Sequence, residues 1–359
     1  MKYFIHTYGC QMNVNESEKI ASMLNEAGYV KATAQVDADI LVFNTCCIRN
    51  TAELKIISHI GETIRMRKKI VCVVGCMAQR DASKLKKTFP HIKVILGTHN
   101  IDKLVGAIES KKTFIEVVNE RTSADEVAKA SGSSINITYG CENYCSYCIV
   151  PYVRGKLISR DSAIIEAEFM KAVAENDDKL IWLLGQNVNS YVCPKTGIDF
   201  PELLQKLCGI EGDFRVNFLS SHPKDFSRKL VDVIAKNEKI ERNIHLPMQS
   251  GCDRILTAMN RKYLVSDYIK KIEMLRKNVP GVKITTDIIC GFPTETEDEF
   301  SQTVETIKRI KFNAAFVYPY SRRSGTVADK MDGQIDMKTK RRRTTELVKV
   351  MQEMSKERK

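Results

Sequence analysis

Three short apolar runs near the start of the chain each end at a cysteine, and this pattern constrains the fold more than any other feature. Tyr3–Tyr8 leads into Gly9-Cys10, Ile40–Phe43 into Asn44-Thr45-Cys46, and Ile70–Val74 into Gly75-Cys76. Helix-like stretches at Glu16–Glu26 and Ala52–Arg67 separate them, and a further strand is predicted at Val94–Leu96. Strands alternating with helices require right-handed crossovers and hence a parallel sheet. The carboxyl ends of such strands share one edge, where ligands bind. Cys10, Cys46 and Cys76 are therefore predicted to meet in space. The competing reading is three buried cysteines, since free Cys is among the most buried residue types; their common topological place favours a shared metal site. Cys47 competes with Cys46 as ligand, and spacing does not separate the two. Cys72, mid-strand, is assigned to the core.

A polar stretch at 119–134 that ends in small residues marks a domain boundary. A second alternation follows, with strands at Ile135–Thr138, Leu180–Leu184, Phe214–Leu219, Asn243–Leu246, Val282–Ile289 and Ala314–Tyr318. Helices are predicted between them at Ala163–Ala174, Pro201–Leu207, Phe226–Lys236, Ser266–Arg276 and Glu297–Ile310. Six βα units over about 190 residues suit an open barrel, shorter than the eightfold barrel of about 250. The fold class is thus α/β: a doubly wound parallel sheet domain over 1–118, a linker at 119–134, an open (β/α)6 partial TIM barrel over 135–335, and a basic helical tail at 336–359. Polar residues gather after each barrel strand, where βα loops build active sites.

A length of 359 residues fits about two domains. The start turns polar too soon for a signal peptide, and no apolar run reaches transmembrane length. A cytoplasmic protein without membrane contact is expected. Disulfides are rare there, so the twelve cysteines point to metal or redox chemistry. The net charge of +12 favours a polyanionic partner. The tail from Asp336 carries nine Lys/Arg against four Asp/Glu, including Lys340-Arg-Arg-Arg343; a solvated basic helix face is the plain alternative.

The barrel region opens with Cys141-Glu-Asn-Tyr-Cys-Ser-Tyr-Cys148 directly after the strand-like run Ile135–Gly140. Thiolates are soft ligands, and several close together are a hallmark of iron–sulfur sites. Three of them leave one iron of a four-iron cluster open to a substrate or second cofactor. A closed zinc site would need a fourth ligand, which neither triplet shows.

In its setting, Tyr139-Gly-Cys-Glu-Asn-Tyr-Cys-Ser-Tyr-Cys-Ile-Val-Pro-Tyr-Val-Arg-Gly155, this triplet resembles the radical S-adenosylmethionine (SAM) enzymes and, among them, the methylthiotransferases. Thr7–Asn13, Asn44-Thr-Cys46 and Val74–Gln79 resemble the three cysteine motifs of that family's N-terminal domain, and the likeness extends over nearly the whole chain. Leu183–Tyr191, Ser221–Lys224 and His245–Gly251 are similar to its tRNA branch. The resemblance implies two 4Fe-4S clusters and SAM, with Cys141, Cys145 and Cys148 on the radical-generating cluster. Cys10, Cys46 and Cys76 would hold an auxiliary cluster that delivers sulfur, the Asn-Thr-Cys motif selecting Cys46. All six cysteines then count as catalytic.

The implied reaction inserts a methylthio group at C2 of N6-dimethylallyladenosine next to the anticodon of tRNA. Sister branches act on threonylcarbamoyl-adenosine in tRNA or on a ribosomal-protein aspartate, and a non-catalytic, metal-stabilised tRNA-binding protein is the rival of a different class. An electron donor such as flavodoxin or ferredoxin and a sulfur source are implied partners, and a monomer is expected. The family's RNA-binding TRAM domain is not expected within the chain. Tyr147, Gln186, Asn187, His222, Gln249 and Glu295 are candidates for the cofactor pocket. Arg154, Arg160, Arg322 and Arg323 are candidates for phosphate contacts, since arginine binds phosphate bidentately.

Overall fold

The computed structural model describes residues 1–47, 50–66, 68–110, 112–121, 132–175 and 179–356. Most of the expected linker at 119–134 lies outside the described residues. The chain forms two units, Met1–Glu142 with Ile149–Asp178, and Asn143–Cys148 with Lys179–Lys359.

The first unit contains strands β1 (Lys2–Thr7), β2 (Val30–Lys31), β3 (Ile40–Thr45), β4 (Ile70–Gly75), β5 (Val94–Leu96) and β6 (Phe114–Glu116). Between them run helices α1 (Gln11–Glu26), α2 (Asn50–Glu62), α3 (Cys76–Thr88) and α4 (Leu104–Glu109). The six strands make one parallel sheet in the order β2-β1-β3-β4-β5-β6. Strand alternation splits the core in two. Leu41, Phe43, Val71, Val73 and Ile95 face Ile56 and Ile60 of α2 and Met77, Ala78 and Leu85 of α3. Ile40, Val42, Cys72, Val74, Val94 and Leu96 face Ile20 and Leu24 of α1 and Leu104, Ala107 and Ile108 of α4. The sheet is doubly wound, with the switch in strand order between β1 and β3. Ligands of such sheets bind outside the strand carboxyl ends at that switch.

The first unit reaches further along the chain than composition implied. It takes in β7 (Ser134–Asn136), β8 (Thr138–Tyr139), α5 (Val150–Arg154), β9 (Ile158–Ser159) and α6 (Ser162–Glu175). The polar face of α1 explains this. Asn15 Nδ2 donates to Ser134 O at 2.8 Å, Lys19 Nζ to Tyr139 Oη at 3.1 Å, and Glu16 holds Arg154.

In the second unit, parallel strands β10 (Leu180–Leu184), β11 (Arg215–Phe218), β12 (Asn243–His245), β13 (Lys283–Cys290) and β14 (Ala314–Pro319) alternate with helices, as the open barrel required. The helices are α7 (Phe200–Cys208), α8 (Arg228–Lys236), α9 (Asp253–Ala258), α10 (Val265–Asn278) and α11 (Glu297–Ile310). A parallel bridge from Val216 to Ile240 continues the sheet beyond β11. Thr296 starts α11 with a reciprocal capping box to Glu299.

The segment expected to be a basic tail is helix α12 (Met337–Lys356), which packs on β14 and α11 and buries Leu347 and Met351. Its basic run is divided. Lys340 and Arg343 are buried, while Arg341 and Arg342 are exposed. No described helix is long and apolar enough to cross a membrane.

Candidate functional site

Cys10 follows β1, Cys46 follows β3 and Cys76 opens α3 after β4, so three adjacent parallel strands deliver them to one edge, astride the switch point. A polar lattice fixes the turns that carry them. Asn13 Nδ2 donates to Asn44 Oδ1 at 3.0 Å, and Asn44 Nδ2 donates back to Asn13 O at 2.8 Å and to Ser17 Oγ at 3.0 Å. Asn13 Oδ1 accepts from the Cys10 backbone N and from its Sγ, both at 3.3 Å. Thr45 Oγ1 donates to Val74 O at 2.6 Å. The glycines before the cysteines are steric requirements. Gly75 has φ +93°, and a Cβ there would stand 2.6 Å from Thr45 O and 2.9 Å from Asn44 Oδ1. A Cβ on Gly9, φ +131°, would meet Asn13 Oδ1 at 2.4 Å and Cys46 Cβ at 2.5 Å.

The structure brings both cysteines of the Cys46-Cys47 pair to this edge. Cys46 backs onto Gly9, whereas the Cys47 thiol donates to Cys76 and packs with Ile149 and Val153. That hydrogen bond, with the Arg154 guanidinium, holds the Cys76 pKa down to about 7, while the Cys47 thiol is pushed well above its usual range. A sulfur that ionises near neutral pH is a competent metal ligand. The donor chemistry therefore fits an iron–sulfur group. Among the described residues, no three His, Cys, Asp or Glu side chains are arranged to hold a single ion.

Cys141 belongs to the first unit and Cys145 and Cys148 to the second. The Cys141 N–H donates to Gly155 O at 3.2 Å. Gly140 is obligatory there, because at φ +72° a Cβ would lie 1.9 Å from Lys156 O. The 143–148 loop is tied down by its backbone. Ser146 N donates to Met259 O at 3.0 Å, Ala328 N to Ser146 O at 2.8 Å, and Asn260 Nδ2 to Asn143 O and Tyr144 O at 3.2 and 2.9 Å. Cys145 is buried, with Arg261 Nη1 donating to its sulfur at 3.4 Å and His222 Nε2 at 3.9 Å. His222 Nδ1 accepts from Lys224 N at 3.2 Å, which leaves the ring proton on Nε2 facing that sulfur. Burial, with Arg261, Lys224 and Lys262 nearby, lowers the His222 pKa to about 2. The ring stays neutral.

The loops after β10, β11 and β12 hold buried polar atoms with no protein partner: Asn187 Oδ1, Asn189 Nδ2, Ser221 Oγ and Gln249 Oε1. Native interiors rarely leave such atoms unpaired, and a polar cofactor would satisfy them. Tyr147 is half-buried with its hydroxyl near Arg261 Nη1 at 3.3 Å; Gln186 is half-buried; His222 and Gln249 are buried. Asn187 is partly committed, since its Nδ2 donates to Asp225 at 2.7 Å and to Ser190 at 2.5 Å.

Several sequence expectations need correction. Glu295 does not line a cofactor pocket; buried, it accepts from Gly291 N and from Arg343 Nη1, both at 2.7 Å. Arg154 and Arg160 are not phosphate contacts, because each is buried against a carboxylate. Arg154 forks onto Glu16, and Arg160 onto Glu168 at 2.8 and 2.6 Å. Arg323 is buried as well. Arg322 is exposed, with Nε donating to Asp329 at 2.9 Å. Glu16 and Arg261 escaped the sequence reading altogether.

The family described as Uncharacterized protein family UPF0004 matches residues 2–97, and the Radical SAM superfamily matches residues 135–307. A relative in Caldicellulosiruptor saccharolyticus, named tRNA-2-methylthio-N(6)-dimethylallyladenosine synthase, is 44% identical across 98% of this chain and 78% of its own length. The chain belongs to this synthase family. Members in Alkaliphilus oremlandii and Clostridium botulinum, under the same name, are 42% and 40% identical across 99% of the chain and 79% and 82% of their own lengths. Among solved structures, the radical SAM methyltransferase TsrM from Kitasatospora setae shares the fold with a TM-score of 0.67, at 13% identity over 91% of this chain and 76% of its own. The cobalamin-dependent SAM radical enzyme OxsB gives 0.61 at 11% identity, over 99% of this chain and 56% of its own.

Proposed function

We propose that this protein inserts a methylthio group at C2 of N6-dimethylallyladenosine next to the anticodon of tRNA. The carrying observation is the 44% identity, over nearly the entire chain, to a relative named for that product. In this reading Cys141, Cys145 and Cys148 hold the cluster that binds SAM, and Cys10, Cys46 and Cys76 hold the auxiliary cluster. When bound, the two 4Fe-4S clusters and SAM supply radical hydrogen abstraction and transfer of sulfur and methyl. The residues of the chain set up that chemistry. The Asn13–Asn44 lattice holds the auxiliary ligands in register, with Cys47 donating to Cys76 beside them. Neutral His222 and buried Arg261 direct donors at Cys145, and Gln186, Asn187, Asn189, Ser221 and Gln249 offer polar atoms to SAM.

A low-potential donor such as flavodoxin or ferredoxin and a separate sulfur source complete turnover. Exposed Arg322, Arg341 and Arg342 are better placed than buried Arg154 to meet tRNA phosphates, and the base must leave its stack to expose C2. Mass spectrometry of nucleosides tests the reading, after anaerobic reaction with tRNA bearing dimethylallyladenosine. The 2-methylthio product is expected. A reconstituted protein that cleaves SAM but leaves this nucleoside unchanged, and modifies threonylcarbamoyl-adenosine instead, would overturn it.

A further inference from the structure

Each candidate ligand set is touched by one buried guanidinium. Arg154, 5% exposed, donates Nε to Cys76 Sγ at 3.3 Å while Nη1 and Nη2 fork onto Glu16 at 2.5 and 3.1 Å. Arg261, 4% exposed, donates Nη1 to Cys145 Sγ at 3.4 Å. Its other partners are Tyr147 Oη at 3.3 Å, Tyr263 Oη at 3.1 Å and Pro247 O at 3.0 Å.

Burying an arginine is costly unless its donors are satisfied and its charge is compensated. Glu16 compensates Arg154. Arg261 bonds to two phenols, a carbonyl and a sulfur, none of them a carboxylate, so its charge is left facing Cys145. That arrangement calls for an anionic group on the sulfur. Lysine could not do the same work. Arg154 needs a planar fork to hold Glu16 with two nitrogens while the third serves sulfur. If the two arginines were only struts for their loops, neither would need a donor on a candidate ligand sulfur.

We propose that Arg154 and Arg261 are positioning residues, each donating to one ligand sulfur of one cluster and setting the reduction potential of that cluster independently of the other. The inference rests on the assignment of the two ligand sets made above. Hydrogen bonds and positive charge at a ligand sulfur stabilise the more negative, reduced cluster and raise its potential. The device lets the cluster that passes an electron to SAM and the cluster that hands over sulfur be tuned apart.

The test is potentiometry of both clusters by EPR in the reconstituted full chain, with SAM cleavage and methylthio product measured on the same samples. Arg154→Met combined with Glu16→Gln removes the sulfur donor without leaving a buried carboxylate unpaired. It should lower the auxiliary potential and cut methylthio product about 10- to 100-fold, the usual effect of losing a group that supports a metal ligand. Cleavage of SAM to 5′-deoxyadenosine should persist. Arg261→Met should lower the potential of the other cluster and reduce 5′-deoxyadenosine formation itself; if that variant does not fold, Arg261→Gln reads the same shift. Arg154→Lys and Arg261→Lys should restore part of each shift, by charge alone. Unchanged potentials in folded, fully loaded variants would reduce both residues to struts and overturn the proposal, as would a shift in the wrong cluster. The underlying ligand assignment fails separately, if Cys76→Ala still carries both clusters.

Discussion

Replacing Arg343 tests whether α12 is a tail for nucleic acid or an internal element of the second unit. Arg343 and Glu295 are 3% and 2% exposed at the side chain, 2.7 Å apart, with Arg343 Nη2 also on Glu297 Oε1 at 2.7 Å. Arg343→Met strands Glu295 with only the Gly291 N–H for company. Breaking one side of a buried pair costs about 3–5 kcal/mol. In a unit of this size that lowers Tm by about 6–20 °C, at about 2–4 °C per kcal/mol. Burial already raises the Glu295 pKa above 4.5, and loss of the arginine raises it further. A carboxyl whose folded pKa lies above its unfolded value contributes stability that is fully present below the unfolded value. That contribution is lost as pH rises through the folded one. The penalty of Arg343→Met should therefore be larger at pH 7.5 than at pH 5, and adding Glu295→Gln should recover most of it. Urea denaturation at both pH values measures this, provided the slope with denaturant is unchanged. A penalty below about 1 kcal/mol, or one independent of pH, would refute the buried pair.

Three further outcomes follow from the same geometry. Gly75→Ala must move Thr45 O or Asn44 Oδ1, and Asn44→Ala removes the bonds that hold Asn13. Each should cost about 1–3 kcal/mol and halve iron content while SAM cleavage survives; retention of all the iron would dissociate the lattice from the cluster. His222 stays neutral when folded, with its pKa lowered to about 2 from 6.5. Its contribution to stability is present above the unfolded value and falls by about 1.4 kcal/mol between pH 7.5 and 5.5, and denaturation of His222→Gln should show that part of the pH dependence gone. Removing the exposed charges with Arg341→Gln and Arg342→Gln should flatten the salt dependence of tRNA binding by about 0.7 log unit per lost phosphate contact, whereas an unchanged slope would make them a solvated face.

The strands were the most legible part of the fold. Val94–Leu96 and Leu180–Leu184 are observed within the predicted bounds, because short apolar runs flanked by turn residues leave little freedom in where a strand can lie. The helix after Cys76 was not foreseen. α3 has few apolar positions, and it is placed by what Met77, Ala78 and Leu85 bury rather than by a visible stripe. The tail misled for the reverse reason. Its basic run reads as a solvated face by composition, yet Lys340 lies over the Tyr320 ring, 4.9 Å from the centroid, and Arg343 is drawn inward by Glu295.

The site divides along the same line. A thiol at a strand end is legible, because topology alone carries it to the sheet edge. A charged residue in a helix is not, because burial of charge depends on a partner remote in sequence. Glu16 and Arg154 are 138 residues apart, and Arg261 and Cys145 are 116 apart. The signal for Glu16 was present in α1, where the buried polar residues Asn15, Glu16 and Lys19 run beside the stripe of Ile20 and Leu24. A single apolar stripe accounts for one face of that helix. The second, polar yet buried face had to be answering other buried polar groups. One of these is the guanidinium beside Cys76, so a doubly buried helix next to a cysteine turn is itself a pointer to the charge that the site must hold.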